Sequence, residues 1–224
     1  GTRWFQLYVM RDRSRTADLV ARAAAAGYKA LVTTVDLPYA GYRERELRDP
    51  LADQGELGNV GSLGGADFLS GIGGEIDPTL DWDDLAWLRS LSDLPLILKG
   101  ILDPADAARA VEHGADAIIV SNHGGRQLDR TPASIDALEG VVEAVAGQAE
   151  VYLDGGVRRG TDVVTALALG ARAVLIGRPY VFALAAGGES GVARCLEILD
   201  REVRLAMALL GAPTVAELTR DRVR

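Results

Sequence analysis

The sequence predicts an α/β fold built on a parallel sheet, and three observations predict it. One grammar recurs: "GYKALVTTVD", "GADAIIVSNH", "GQAEVYLDGG" and "GARAVLIGRP" each run from a glycine through a short spacer and an apolar run to a polar or glycine-rich tip. The apolar runs are rich in Val, Ile and Leu and do not alternate, which suits strands covered on both faces. Stretches with helix start and stop signals lie between them.

Taken in order, "WFQLYV" is the first strand. A helix follows over "SRTADLVARAAAAG", with Ser14 as its candidate cap and Gly27 in the left-handed position past its end. "ALVTTVD" is the second strand. Residues 37–80 then break the rhythm with the Gly- and Ser-rich "GELGNVGSLGGADFLSGIGGEIDP". A loop of this length is expected to be a lid, a partner surface or a mobile segment, and no secondary structure is assigned to it. A helix is expected from Trp82 to Leu91, with Trp82 and Trp87 as packing residues. "PLILKGI" is the third strand. "DPADAARAVEHG" opens with Asp103 as cap and Pro104 at the first helical position. It closes at His113, read as a surface imidazole that suits the helix C-terminus, and at Gly114. The fourth strand "ADAIIVSN", the helix "SIDALEGVVEAVAG", the fifth strand, the helix "RGTDVVTALALGA" and the sixth strand follow, with Gly147 and Gly170 after the helices. The stretch "GVARCLEILDREVRLAMALLG" reads as a long amphipathic helix that buries Cys195.

Alternating strands and helices form either a doubly wound sheet or a closed barrel. Polar or glycine-rich tips after every strand favour a TIM (β/α)8 barrel, whose site lies at the strand C-terminal ends. Six strands are legible, whereas such a barrel has eight and typically about 250 residues. The chain is therefore expected to be a single barrel domain over 1–224, N-terminally incomplete, with its first two strands before Gly1.

Composition narrows the function. The chain has 224 residues and a formal net charge of −8, which argues against nucleic acid as a partner. Cys195 stands alone, so no internal disulfide forms, and a reducing, cytoplasmic setting is expected. No apolar run has the length of a transmembrane helix. No metal site is expected.

In a barrel the strand tips converge on one mouth. Gln6 and Tyr8 lie two apart on the first strand and share a side, as do Thr34 and Asp36 on the second. Arg43 follows on the loop. Lys99 ends the third strand, and Ser121, His123 and Arg126 follow the fourth. Asp154, Gly155, Gly156 and Arg158 follow the fifth, and Gly177 and Arg178 the sixth. Bland readings compete: Gln6 and Tyr8 can be ordinary strand residues, Asp36 a turn residue before Pro38, and Arg159 a solvated neighbour of Arg158. The paired turns "DGGVRRG" and "IGRP" suit a phosphate. With Lys99 and His123 on middle strands, the phosphate is expected to belong to a cofactor. Arg43 and Arg126 suit a substrate carboxylate.

"SNHGGRQLD" resembles the signature of the FMN-dependent 2-hydroxy acid oxidase and dehydrogenase family, which includes glycolate, lactate and mandelate oxidases. "FQLY", "TVDLP", "LKGI", "DGGVRRGTDVVTALALGA" and "IGRP" are similar to its other blocks, in order. The resemblance implies FMN as cofactor and a small (S)-2-hydroxy acid as substrate, oxidised to the 2-keto acid. Oxygen or another acceptor would take the electrons, and the assembly would be a homo-oligomer, a tetramer by resemblance. It implies His123 as the base, Asp36 as its carboxylate partner, Arg43 and Arg126 on the substrate carboxylate, and Tyr8 on its hydroxyl end. It also implies flavin contacts from Gln6, Thr34, Lys99 and Ser121. The phosphate end falls to Asp154, Gly155, Gly156, Arg158, Gly177 and Arg178. Three departures stand out: the first two strands have no counterpart, Tyr42 stands where an arginine is frequent, and the segment after Arg43 is short. Two other readings stay open. Another FMN barrel enzyme would share the phosphate cradle but not His123, Arg126 and Arg43 together. A non-catalytic barrel fragment would share the fold alone.

Overall fold

The computed structural model describes residues 1–44, 48 and 72–223. Six strands form one parallel sheet in chain order: β1 (Phe5–Leu7), β2 (Leu31–Thr34), β3 (Leu96–Ile101), β4 (Ala117–Val120), β5 (Glu150–Leu153) and β6 (Ala173–Val174). The outermost strands are shorter than their apolar runs suggest, and Tyr8 lies just past β1. β1 and β6 do not pair with each other, so the sheet of described residues is open.

The sheet curls. Trp4, beside β1, meets Tyr152 of β5 edge-to-face at 5.1 Å. Four strand spacings separate these strands, about 19 Å in a flat sheet, so the ring contact requires the inward face to fold on itself. That face carries Ala30, Val32, Ile97, Ala117, Ile119 and Tyr152 as one buried cluster. The alternate residues, among them Leu31, Leu98, Ile118, Val120 and Leu153, pack outward on the helices as a larger cluster. Full burial of one such side chain stabilises by about 1.5–3 kcal/mol.

The helices are α1 (Arg13–Ala25), α2 (Asp84–Ser90), α3 (Pro104–Glu112), α4 (Ser134–Val145), α5 (Gly160–Ala168) and α6 (Arg178–Leu209). The cap of α1 is Asp12, not Ser14: its carboxylate accepts from the Ser14 N–H, and Ser14 is already inside the helix. Asp103 caps α3 as its sequence suggests. Gly27, Gly114, Gly147 and Gly170 all have positive φ. Trp87 packs under the Arg13 guanidinium, and Trp82 under that of Arg109. His113 is the C-cap of α3, as expected, and is half-buried against the Trp82 ring.

α6 begins at Arg178, well before the expected "GVARC" start, and bends where Gly187 and Gly188 leave helical geometry. Cys195 is half-buried on it, not fully buried, and Leu199 is the buried residue of the helix. Most of the expected lid, residues 37–80, lies outside the described residues. Of the rest, Ile72–Glu75 forms one helical turn and Ile76 bridges Met10. Among the described residues, no helix is long and apolar enough to cross a membrane.

Candidate active site

The inward face changes character toward the strand C-termini. Thr34 lies opposite Lys99, and Lys99 opposite Ile119. Ser121 and Asp154, two residues beyond Ile119 and Tyr152, therefore point the same way as Lys99. Lys99 Nζ donates to Ser121 Oγ at 2.9 Å and pairs with Asp154 Oδ2 at 3.1 Å. The two charged side chains are only 12% and 18% exposed. Removing either would leave a largely buried charge without its partner. On the other side Gln6 Nε2 donates to Tyr8 Oη at 2.9 Å and Thr34 Oγ1 at 3.1 Å. Burial, then the Asp36 carboxylate, raises the Tyr8 pKa above the ordinary phenol value. Tyr8 is thus a protonated phenol at neutral pH.

His123 is held in an uncommon backbone conformation. Its φ is +56°, followed by Gly124 at +66° and Gly125 at +70°. Such a run persists only where its surroundings fix it. Asn122 Oδ1 accepts from Gly125 N at 3.2 Å, and Asn122 Nδ2 donates to Pro132 O at 3.2 Å. Ser121 Oγ accepts from His123 N at 3.0 Å, so one hydroxyl ties the lysine to the histidine loop. His123 Nδ1 and Asp36 Oδ1 are 2.9 Å apart. A carboxylate only accepts, so Nδ1 carries the hydrogen, and in a neutral imidazole the other nitrogen is the acceptor.

Asp36 can take its place because residue 100 is glycine. The β3–β4 register shifts between Lys99 and Ile101, and Gly100 has φ +112°. A Cβ there would lie 2.6 Å from Asp36 Cβ. Bulges of this kind often re-aim side chains beside active sites.

Arg43 reaches the same loop, with Nε 3.5 Å from Arg126 O and Nη2 donating to Gln127 Oε1 at 3.3 Å. Arg178 Nη2 donates to Gly124 O at 2.5 Å, so the sixth tip is joined to the histidine loop. Arg158 is exposed, and its backbone N–H donates to Asp162 Oδ2 at 2.8 Å. Gly155 and Gly156 have φ of +86° and +77°, and nothing lies within 4 Å of a Cβ at Gly156. Gly177 precedes α6. Arg159 is exposed and pairs with Glu202. Gln127 and Asn122, both structurally central here, were not singled out by sequence. Their only signal was membership of "SNHGGRQLD".

This donor set fits a flavin mononucleotide. Asp154 Oδ1 and Asp36 Oδ2 are buried without a hydrogen-bond partner. Lys99 uses two of its three ammonium hydrogens, and the open glycine turn beside Arg158 can receive an anion. Among the described residues, no group of three or more His, Cys, Asp or Glu could hold a metal ion.

Comparison with known proteins identifies the class. The sequence matches the FMN-dependent dehydrogenase family over residues 1–224. It is 53% identical to an L-lactate oxidase of Nostoc sp., covering 96% of this chain and 62% of that protein. It is 49% identical to 2-hydroxyacid oxidase 1 of Mus musculus, covering 99% and 64%. A crystal structure of mandelate oxidase with (S)-2-phenylpropionate superposes with a TM-score of 0.85 at 47% identity, covering 98% of this chain and 61–62% of such structures. A mandelate oxidase variant carrying a monooxide FMN adduct superposes at 0.81. This chain belongs to the FMN-dependent dehydrogenase family, whose cofactor is FMN. The six β/α units are part of a TIM barrel, and the chain spans less than two thirds of the relatives it matches.

Proposed function

We propose that this protein oxidises a small (S)-2-hydroxy acid to the 2-keto acid with FMN. The observation that carries the reading is the His123–Asp36 pair at 2.9 Å, in the same mouth as Lys99, Asp154, Tyr8 and Arg43. The names of the relatives, lactate, 2-hydroxyacid and mandelate oxidases, support it.

Bound FMN supplies a two-electron acceptor. Arg43 and Arg126 hold the substrate carboxylate, and their charge favours it there. The protonated Tyr8 phenol donates to the hydroxyl end of the substrate. His123 Nε2 takes a proton from the substrate, and the Asp36 carboxylate at Nδ1 stabilises the cation so formed. Lys99, with Gln6, Thr34 and Ser121, would hold the isoalloxazine ring, and the Lys99 ammonium would favour negative charge there. Asp154, Gly155, Gly156, Arg158, Gly177 and Arg178 would hold the ribityl and phosphate end. Oxygen or another acceptor takes the electrons. A cytoplasmic homo-oligomer, with residues 37–80 as a long glycine-rich loop or lid of one barrel domain, completes the proposal.

The test mixes the FMN-loaded protein with (S)-lactate, glycolate and (S)-mandelate and measures 2-keto acid and peroxide. Stoichiometric 2-keto acid is expected from at least one. FMN retained with no 2-keto acid from any 2-hydroxy acid would point to another FMN barrel reaction. Failure to take up FMN would point to a non-catalytic piece.

A further inference from the structure

Gln127 holds no role in the mechanism above, yet its side chain joins the two loops that carry it. Nε2 donates to Asp36 O at 3.1 Å and Tyr39 O at 3.1 Å. Oε1 accepts from Gly41 N at 3.3 Å and Arg43 Nη2 at 3.3 Å. The partners fix the amide's orientation. The two carbonyls only accept, and the Gly41 N–H and the guanidinium only donate. A primary amide satisfies all four; no other side chain of this length offers two donors and an acceptor together.

Two further observations point the same way. The backbones touch at this place: a Cβ on Gly41 would lie 2.7 Å from Gln127 Cα and nearer still to Arg126 O. And past the buried Leu37, the loop has little packing of its own, because Tyr39 is 70% exposed and Tyr42 79%. Burial does not fix the path from Asp36 to Arg43, so polar contacts must.

We propose that Gln127 is a positioning residue: its amide clamps the loop 36–43 onto the His123–Arg126 turn and sets Arg43 at the substrate carboxylate. This rests on the reading that Arg43 binds that carboxylate. Gln127 does not touch the reacting atoms. It fixes the distance between the anion clamp and the base, and an error of about 1 Å in such a distance costs on the order of 100-fold in rate.

The test uses Gln127→Met and Gln127→Glu in the FMN-loaded protein. Met keeps the length without hydrogen bonds. Glu keeps the acceptor for Gly41 and Arg43, loses both donors, and sets a negative charge beside Arg43. Two readouts are taken: amide hydrogen exchange over 37–44, and oxalate affinity by calorimetry. Both variants are expected to speed exchange in that segment, weaken oxalate by about 10- to 100-fold, the worth of one charge-assisted hydrogen bond, and leave FMN affinity unchanged. kcat/KM should fall further than kcat. Gly41→Ala, which forces the backbones apart while the Gln127 side chain stays an amide, should reproduce the pattern. A residue needed only for its volume would be replaced by Met or Glu with neither readout moving, and that result overturns the proposal. So does faster exchange with oxalate affinity intact, when Arg43→Met abolishes it. If Arg43→Met itself binds oxalate normally, the carboxylate reading has failed and the positioning role falls with it.

Discussion

The same strands build two different surfaces. On the outward face Leu31, Leu98, Ile118 and Leu153 are each 1% exposed or less, and the face stays apolar along the strands. On the inward face the strands change: Val32 is followed by Thr34 and Asp36, Ile97 by Lys99, Ile119 by Ser121 and His123, and Tyr152 by Asp154. Because side chains alternate, "AIIVSNH" serves the helix core and the candidate site with neighbouring residues. The outward face is thus responsible for stability. The C-terminal end of the inward face carries the candidate site, and each should be separable from the other by substitution.

The largest separation is expected at His123. His123→Gln should bind FMN nearly as the parent does, while flavin reduction by substrate falls by about 100- to 10,000-fold, the range of general acid–base catalysis. Rapid-mixing absorbance checks it, and near-normal reduction would remove His123 as the base.

On the other face, Ile118→Ala should cost about 2–5 kcal/mol of stability, read from urea denaturation, because Ile118 is fully buried. Its activity per folded molecule should change little. A large loss of activity at an unchanged denaturation midpoint would break the division between faces.

A smaller effect is expected from Arg126→Lys, which keeps the charge and loses the planar fork. Binding of 2-hydroxy acids and of simple carboxylate inhibitors should weaken together by about 10- to 100-fold, the worth of one charge-assisted hydrogen bond. The flavin spectrum should not move. Loss of FMN in that variant would assign Arg126 to the cofactor instead.

Much of this division was legible in the sequence, for local reasons. The apolar runs at 31–34, 96–101 and 117–120 announce their strands, and Gly27 and Gly114 mark helix ends with their own backbone freedom. Asp103 and Pro104 start α3 on near-neighbour chemistry. The candidate site was legible because polar residues sit at fixed positions past those runs. What was not legible depends on partners far along the chain. Gln127 owes its place to carbonyls 88 and 91 residues away, and no local pattern encodes them. Gly100 reads as a strand glycine, yet its φ of +112° and its contact with Asp36 make it a bulge. The early start of α6 was missed because "PYVFALAAGG" ends in a glycine pair that looks like a stop, whereas the helix bends there and continues.

The central claim is that the polar end of the inward face is an FMN-dependent site for 2-hydroxy acids. It is tested most directly by anaerobic absorbance spectroscopy of the purified protein loaded with FMN and mixed with (S)-lactate, glycolate or (S)-mandelate. The expected result is a flavin spectrum that bleaches with at least one of them, at one flavin per chain, and returns when an electron acceptor is admitted. A bound flavin that stays oxidised with all three while a nicotinamide or dithionite reduces it would show that the inward face is not a 2-hydroxy acid site.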